Sequence, residues 1–365
     1  MTNILIEGYG HIPSYDLTSI AFKRYASILD IEVRSKLSRH ITPEDINWCD
    51  ILICVRANNP LSSYLAKYAS KHGRIVLLAL DDDILSFKGH QHPLYERWQN
   101  KSLINVINLS KIIITSSNYL GEKYKKQFKI EYVQVDTPVT SDDFKHQHSY
   151  HTQTRLLYAS SHIDSFRTYV QPILNKLYDC YGDSIHLTIM GADIDTKDIR
   201  LPIEKVASMS LDDYRQYMNN HSFDIGFAPL IGSEMSKSKY YNKFLEYTMQ
   251  GICGIYSNNL PYITIVKDGQ NGLLANDDPQ DWFDKICKII DNIELRKNCV
   301  GNAEFLLKKE FSLDTIVEKL RSNFPEIDNF KANHKTKFRW FFPSYIYFLF
   351  LEVIRRFLIA ILINK

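Results

Sequence analysis

Acidic and histidine side chains gather where an apolar segment of the sequence ends. Asp81–Asp83 follow the apolar run 74–80, and His90 and His92 come a few residues later. A carboxylate or an imidazole in such a place can orient a substrate hydroxyl or take its proton. The same residues would also suit a helix N-cap and a solvated loop. Both interpretations stay open, with Asp82 and His92 as the candidates for handling a proton.

A glycine-containing loop follows the first apolar run of the chain. Residues 3–8 read NILIEG, Gly10 comes two positions later, and a helical pattern covers residues 15–29. Strand, glycine loop and helix in this order are typical of a Rossmann-type unit. Because glycine has no Cβ, its backbone can approach a ligand closely, so Gly10 is a candidate ligand contact. A tight turn without a ligand is the alternative.

Composition and cysteine use exclude several classes of protein. The chain has 365 residues, and a hydrophobic fraction of 45% is enough for two domain cores. Its 44 basic and 42 acidic residues give a net charge of +2, without the basic excess of a nucleic-acid binder. The six cysteines form no CxxC pair and mostly lie in apolar runs, which predicts reduced core residues in a reducing compartment. The first residues do not resemble a signal peptide.

Strand and helix patterns alternate along most of the chain. Strands are predicted at 3–8, 49–55, 74–80, 111–117, 130–135, 155–159, 185–191, 205–210, 223–230, 252–257 and 272–275. Helices are predicted at 15–29, 61–72, 98–109, 118–127, 167–181, 211–219, 243–251, 279–291 and 294–309. Near-continuous apolar strands that alternate with helices indicate an α/β fold whose parallel sheets are covered on both faces.

The alternation is interrupted by the polar, histidine-rich segment 141–154. Four histidines fall in or beside it, at positions 146, 148, 151 and 162. A metal-binding tract is conceivable, but no carboxylate or cysteine spacing supports one, so we interpret the segment as an interdomain linker. The sequence therefore predicts two Rossmann-like, doubly wound domains, 1–145 and 154–325, that face each other across a cleft. Ligands of such sheets bind at the carboxyl ends of the strands.

The segment 334–365 differs from the rest of the chain because it is very apolar and has basic flanks. Three charged residues interrupt its middle: Glu352, Arg355 and Arg356. A charge at the centre of a bilayer costs about 2.5–3.5 kcal/mol, so a transmembrane helix fits poorly. The aromatic and basic residues near its start suit an amphipathic helix on an anionic membrane surface. A helix that docks on the protein or forms a homodimer is the alternative.

The most specific pattern of the chain lies in residues 223–275. It comprises FDIGFAPL, then SKSKYYNKFLEYTMQGICGIYSN, then PYITIVKDGQNGLLAND. The pattern resembles the C-terminal signature of the group-1, retaining GT-B glycosyltransferases: a DIGLAPL-like strand, a KS..K.LEY helix, a G.P strand and a DG..GLL turn. No single piece is distinctive, but all four occur in order at matching spacing. In the N-terminal half the likeness is mainly architectural.

The resemblance implies a fold, an activity and a setting. It implies the GT-B fold, with a nucleotide-sugar donor bound mainly by the C-terminal domain. It implies retaining transfer of a hexose or related sugar to a hydroxyl of a lipid-linked or cell-surface polysaccharide acceptor, without a cofactor. The lipid-linked acceptor is suggested by the basic, apolar segment 334–365. Because GT-B enzymes generally need no metal, it also argues against a metal-binding DxD motif at Asp81–Asp83. A peripheral position on the cytoplasmic face of the cell membrane follows from the apolar segment 334–365. A non-catalytic adaptor or chaperone of a glycosylation complex and a sugar-nucleotide epimerase are the alternatives.

Lysine and glutamate side chains of the KFLEY helix receive roles through the resemblance. Lys243 and Lys239 would neutralise the donor diphosphate and stabilise the departing nucleoside diphosphate, next to the positive end of the helix dipole. Glu246 matches the second glutamate of the E-x7-E motif of the family, which typically bonds the ribose of the nucleotide. The first glutamate falls at Ser238, where this chain departs from the pattern, and Ser238 is a donor-binding candidate at that position. Tyr247 completes the donor-binding candidates on this helix.

A second group of donor-binding candidates follows the first strand of the C-terminal domain. The loop reads Ala159-Ser160-Ser161-His162, and the equivalent loop of the family places backbone N–H groups near the phosphates. Ser160 is the candidate here, and Arg167 is a further candidate phosphate ligand. Gly10 would approach the donor from the N-terminal domain.

Overall fold

Strands of this chain form two separate parallel sheets, each with six strands. The structure is a computed structural model that describes residues 1–86, 93–145, 153–160 and 163–332. It also describes seven helical positions between 346 and 357. The chain divides into a first unit, Met1–Pro138 with Leu313–Lys365, and a second unit, Val139–Ser312. The predicted α/β fold with two doubly wound sheets is confirmed.

The first unit alternates strands and helices from its first residues. Its strands are β1 (Thr2–Gly8), β2 (Ile31–Leu37), β3 (Ile51–Val55), β4 (Ile75–Leu80), β5 (Ile112–Thr115) and β6 (Glu131–Gln134). Its helices are α1 (Pro13–Tyr25), α2 (Pro43–Trp48), α3 (Pro60–Lys71), α4 (Pro93–Leu109) and α5 (Asn118–Phe128). The strand order is β2-β1-β3-β4-β5-β6, and every pairing is parallel. Helices on both faces bury the apolar strands, as in other doubly wound sheets.

Capping residues explain where several of these helices begin. Asn59 accepts a hydrogen bond from the N–H of Ser62 at the start of α3, and Ser117 does the same for Leu120 in α5. Thr42 and Asp45 form a reciprocal capping box on α2. Each cap satisfies an N–H group that the helix itself leaves without a partner.

The second unit repeats the alternation. Its strands are β7 (Thr154–Ala159), β8 (Ile185–Met190), β9 (Ile203–Val206), β10 (Ile225–Ala228), β11 (Cys253–Ser257) and β12 (Leu273–Ala275). Its helices are α6 (Asp164–Tyr169), α7 (Leu174–Tyr181), α8 (Leu211–Asn220), α9 (Glu234–Lys237), α10 (Asn242–Met249), α11 (Pro279–Asp291) and α12 (Ile293–Glu310). The strand order is β12-β11-β10-β7-β8-β9, again fully parallel. The chain reverses its direction of winding between β7 and β10, and ligands of doubly wound sheets bind at such a switch point.

After α12 the chain returns to the first unit. Helices α13 (Leu313–Asn323) and α14 (Glu326–Asn329) add Ile316, Leu320 and Ile327 to the apolar core beneath β1 and β3. This division differs from the predicted boundaries, which place residues 313–325 in the C-terminal domain and end the N-terminal domain at residue 145. The amphipathic pattern of α13 predicts which face of the helix is buried, but not which of the two sheets that face packs against.

The irregular and edge elements account for the other differences from the sequence prediction. Edge strand β2 and helix α2 are not predicted, because the alternating polar residues of β2 hide it from a search for apolar runs. The single helix predicted at 167–181 is two helices, α6 and α7, separated at Pro172. The strand predicted at 205–210 is β9, at residues 203–206. Residues 146–152, half of the predicted linker 141–154, lie outside the described residues and include His146, His148 and His151; His162 lies outside them as well.

In the described part of the chain, no helix has the length and apolar character needed to cross a membrane. The segment 334–365 belongs to the first unit, and its described positions, which fall between 346 and 357, are helical.

Candidate functional site

The carboxyl ends of β7, β10 and β11 lie side by side at the switch point of the second sheet. The loop after β10 is fixed there by Ser257, whose Oγ accepts a hydrogen bond of 2.7 Å from the Leu230 N–H. Asp224, at the start of β10, accepts a hydrogen bond of 2.9 Å from the Arg155 N–H and so fixes the register with β7. The first contact thus fixes the carboxyl end of β10, which α9 and α10 follow, and the second fixes its amino end.

Lys243 and Glu246 form an ion pair on the first turns of α10. The Nζ atom of Lys243 lies 2.5 Å from Oε2 of Glu246, and the side chains are 24% and 32% exposed. Burial lowers the pKa of Lys243, but the charge of Glu246 and the nearby Tyr247 hydroxyl outweigh it, so the net shift is upward. The lysine therefore stays cationic at neutral pH in a partly buried position.

Tyr214 brings a third polar group to this pair from the neighbouring helix α8. Its hydroxyl donates to Oε2 of Glu246 at 3.1 Å and accepts from Nζ of Lys243 at 3.4 Å. Lys243 Nζ also lies 5.2 Å from the centre of the Tyr214 ring, within the range of a cation–π contact. Burial, followed by the charge of Glu246, raises the pKa of Tyr214, which keeps the phenol protonated. Tyr214 was not among the sequence candidates, because no motif marks its position in α8.

Tyr247 of α10 points towards β10, below the Lys243–Glu246 pair. Its side chain is fully buried, and its hydroxyl donates to the carbonyl oxygen of Phe227 in β10 at 2.9 Å. A Cβ added at Gly226 would come within 2.5 Å of the Tyr247 ring, so the glycine in DIGFAPL makes room for this tyrosine. Tyr247 therefore holds α10 against β10, and its predicted contact with a donor stays a prediction.

Ser238 and Lys239 follow the short helix α9. Ser238 is fully buried, and its Oγ donates to the carbonyl oxygen of Glu234 at 3.0 Å. Its hydroxyl thus bonds to the preceding turn at the position where the family has a glutamate. Lys239 is partly exposed, and within the described residues its side chain makes no ion pair. The predicted roles of both residues stay predictions.

Ser160 and Arg167 lie at the carboxyl end of β7. The Ser160 N–H donates to the carbonyl oxygen of Met190 at 3.0 Å, which extends the pairing of β7 with β8. Its backbone N–H is therefore occupied, and the predicted contact of Ser160 with the donor stays a prediction. Arg167 is exposed on α6. Ser161 and His162, which follow Ser160, lie outside the described residues.

Gly10 and Asp82 belong to the first unit. Gly8 is required by packing, since an added Cβ would lie 2.4 Å from Cδ2 of Tyr15, whereas one at Gly10 would meet nothing within 4 Å. Asp82 forms an ion pair with Arg56 at the carboxyl end of β4. Arg56 therefore competes with any substrate hydroxyl for this carboxylate. His92 lies outside the described residues, as does His90.

The other two aspartates of the triple are also engaged. Asp81 accepts hydrogen bonds from Nε of Arg56 at 2.7 Å and from the Ser14 hydroxyl at 2.7 Å. Asp83 is buried and accepts from Nζ of Lys123 at 2.5 Å and from the Tyr124 hydroxyl at 3.2 Å. Across the described residues, no group of three or more His, Cys, Asp or Glu side chains is arranged to hold a metal ion.

Comparisons with known proteins give matches at the level of structure. No family model matches the sequence, and no curated protein matches it significantly. The Anabaena protein Alr3699/HepE, solved in complex with UDP and glucose, matches with a TM-score of 0.64 and 11% identity over 90% of this chain and 100% of that one. A glycosyltransferase from Rickettsia africae ESF-5 matches with a TM-score of 0.58 and 15% identity over 89% and 98% of the two chains.

One structure named for a different activity matches with a lower TM-score. A putative UDP-N-acetylglucosamine 2-epimerase from Listeria monocytogenes matches with a TM-score of 0.52 and 11% identity over 91% of this chain and 99% of that one. At these identities a structural match establishes the fold and leaves the activity to the residues of the site. The two six-stranded parallel sheets and these matches over most of its length show that the chain has the GT-B fold.

Proposed function

We propose that this chain is a glycosyltransferase that moves a sugar from a nucleotide-sugar donor to a hydroxyl of a lipid-linked or cell-surface polysaccharide acceptor, with retention at the anomeric carbon. The observation that carries the proposal is the Lys243–Glu246 pair on α10, next to the switch point of the second sheet. A cationic lysine and an acceptor carboxylate, one helical turn apart, suit the diphosphate and the ribose of a nucleotide. Retention comes from the resemblance to the group-1 family.

Lys243 is the group that would meet the donor diphosphate. Its ammonium is held close to the first turn of α10, where helix N–H groups and the helix dipole also favour an anion. In the donor complex the ammonium would be shared between Oε2 of Glu246 and the diphosphate, and Oε1 of Glu246 would accept hydrogen bonds from the ribose hydroxyls. Lys239, without an ion-pair partner in the described residues, would add a second cation as negative charge develops on the leaving group.

Ser160, Arg167 and Gly10 complete the donor side of the proposal. Ser160, at the carboxyl end of β7, would contact a phosphate in the donor complex, with the exposed Arg167 as a second ligand. The free space around Gly10 would let its backbone approach the donor. Neutralisation of the diphosphate by lysine and arginine would leave no requirement for a metal or a cofactor.

Asp82 and His92 are the candidates for handling the acceptor hydroxyl in the first unit. Asp82 would act from within its ion pair with Arg56, which fixes the direction of the carboxylate. We also propose a peripheral position on the cytoplasmic face of the cell membrane, because the segment 334–365 is apolar with basic flanks.

A melting-shift screen of UDP, GDP, ADP, TDP and CMP tests the donor side of this proposal. A nucleotide that binds only the folded protein, present at a concentration of one hundred times its Kd, raises the free energy of unfolding by about 2.7 kcal/mol. We expect one nucleoside diphosphate to raise the Tm clearly above the others. No shift with any nucleotide, at concentrations up to the millimolar range, would contradict the proposal.

A sugar-nucleotide epimerase is the second candidate, and the match to the Listeria monocytogenes protein favours it. An epimerase would convert the free sugar nucleotide without an acceptor, so incubation of the donor alone, followed by chromatography of the sugar, separates the two activities. A non-catalytic adaptor, which the serine at position 238 keeps open, would bind the nucleotide and show neither hydrolysis nor conversion of the donor.

A further inference from the structure

Four large apolar side chains of the C-terminal segment are exposed on one face of a helix. They are Ile346, Phe350, Val353 and Phe357, with exposed fractions of 49%, 59%, 62% and 66%. Their spacing of four, three and four residues places them in a single row along the helix, which we call the apolar stripe. Soluble monomers rarely expose such a contiguous apolar surface, so we expect the apolar stripe to be an interaction site.

A different position attaches the same helix to the first unit. Leu349 is partly buried and packs against the core cluster that contains Leu78 and Leu103. On a helical wheel of about 100° per residue, Leu349 lies about 70° from the centre of the apolar stripe. The contact with the first unit therefore does not use the stripe, which stays exposed while the helix is docked.

Positive charge is concentrated around the apolar stripe in the sequence. Residues 334–365 contain six lysines and arginines and one glutamate, a net charge of +5. Since the whole chain carries +2, the other 333 residues carry −3. The basic residues are Lys335, Lys337, Arg339, Arg355, Arg356 and Lys365. A basic segment with an exposed apolar stripe, on an otherwise slightly acidic protein, is complementary to an anionic bilayer surface.

We propose that the apolar stripe is a membrane-binding face, which inserts its side chains at the boundary of headgroups and acyl chains of an anionic bilayer. A second copy of the chain fits less well. Four side chains of this size, about half exposed, offer on the order of 400 Å², whereas a stable dimer buries about 800 Å² on each partner. Two segments of charge +5 would also repel each other. The stripe holds the first unit at the bilayer surface.

The identity of the acceptor is the part of this inference that rests on the proposed function. A first unit held at a bilayer would meet an acceptor that is anchored in that bilayer, which favours a lipid-linked acceptor over a soluble polysaccharide. Binding to the membrane is independent of the donor chemistry, and the two can therefore fail separately.

Sedimentation of the full chain with lipid vesicles tests the inference. We expect the protein to bind vesicles of phosphatidylcholine with phosphatidylglycerol, and to bind pure phosphatidylcholine vesicles much more weakly. The double variant F350S/F357S should lower the partition coefficient at least about tenfold, since each buried phenylalanine contributes about an order of magnitude or more. The variant R355Q/R356Q should lose affinity for the anionic vesicles only.

The matched control is F305S, which removes a phenylalanine that is 70% exposed on α12 of the second unit. It should bind vesicles as the unchanged protein does. Unchanged binding by F350S/F357S would overturn the inference, and so would a concentration-dependent dimer that this variant abolishes. Circular dichroism and the melting shift with a nucleotide, both measured on F350S/F357S, show that the variant is folded. If the unchanged protein shows a melting shift with a nucleotide but binds no vesicles, the membrane-binding face is ruled out while the proposed function stands.

Discussion

The ammonium of Lys243 and the carboxylate of Glu246 lie 2.5 Å apart on the first turns of α10, and the hydroxyl of Tyr214 contacts both. Three groups from two helices thus share one polar cluster at the carboxyl edge of the second sheet. Because the pair is partly buried, removal of either charge leaves the other poorly solvated. A substitution in the pair therefore affects stability as well as binding, so the Tm of each variant is measured together with its Kd.

Substitution of the charged pair should weaken nucleotide binding. We expect K243A to raise the Kd for a nucleoside diphosphate by about tenfold to a hundredfold, since a hydrogen bond to a charged group is worth about 1.5–3 kcal/mol. E246Q, which keeps the shape of the side chain, should weaken nucleotide binding because the contact with the ribose is lost. It should not weaken the binding of inorganic diphosphate, which has no ribose and competes with Glu246 for Lys243. Isothermal titration calorimetry measures both constants.

The control for these variants is K237A, which removes a more exposed lysine that pairs with Glu234 on the neighbouring helix α9. Its Kd should match that of the unchanged protein. Equal affinities for K243A and K237A would remove Lys243 from the proposed site.

The hydroxyl of Tyr214 should position Glu246 rather than bind the donor itself. In Y214F the ring and its cation–π contact with Lys243 stay, while the hydrogen bond to Glu246 is lost. A hydrogen bond to a charged group is worth about 1.5–3 kcal/mol, but this bond acts on the nucleotide only through Glu246, so we expect the Kd for the nucleotide to rise by a smaller factor, about fivefold. Y217F, which changes the next tyrosine of α8, is the matched control. A loss as large as that of K243A would indicate direct contact between Tyr214 and the donor.

Nucleotide affinity should be insensitive to the titration of Lys243 near neutral pH. The pKa of Lys243 is raised in the folded protein, because Glu246 and the nearby tyrosines outweigh the effect of burial. A raised lysine pKa means that the charged form, and the stability it contributes, persist below the unfolded value of about 10.4 and are lost only as the pH rises through the folded value. We expect a constant Kd from about pH 7.5 to 9.5. A decline in affinity with a midpoint near pH 8.5, absent from K243R, would contradict this assignment.

The order of strand and helix patterns along the sequence predicts the two sheets. Side-chain contacts between different elements cannot be predicted from these patterns. The strands β3, β4 and β10 are continuous apolar runs, so they are recognised without the structure. Lys243 and Glu246 were found through a motif within one helix. Tyr214 joins them only because β10 and α10 bring a distant helix alongside, and no local pattern encodes that contact.

The polar edge strand β2 and the ion pairs of Asp81–Asp83 could not be predicted from the sequence either. β2 pairs on one side only, so its solvent-facing residues are polar and its hydrophobic pattern is weak. The polar residues of the aspartate triple suggested chemistry, but their partners Arg56 and Lys123 come from other elements. These ion pairs depend on which elements the fold brings together, and the local sequence does not show them.

Tyr247 should matter for stability more than for nucleotide affinity. Y247F removes the hydrogen bond to the Phe227 carbonyl and leaves a buried acceptor without this donor, which costs about 1–3 kcal/mol. We expect a Tm several degrees lower and an almost unchanged Kd, measured well below the Tm. G226A, whose new Cβ would press on the same ring, should destabilise the second unit in a similar way. A large rise in Kd at unchanged Tm would instead support the predicted donor contact of Tyr247.

Helix α13 should stabilise the first unit, although it follows the second unit in the sequence. Leu320 is fully buried in the core cluster that also contains Ile4, Phe22 and Ile51. L320A should cost about 2–5 kcal/mol, and the loss should appear as faster hydrogen exchange in β1 and β3. Exchange in β7 and β10 should stay as it is, because those strands belong to the other unit. L306A, a partly buried leucine of α12 that packs in the second unit, is the control with the opposite pattern. Faster exchange in β10 of L320A, with β1 unaffected, would return residues 313–325 to the second unit, as the sequence predicted.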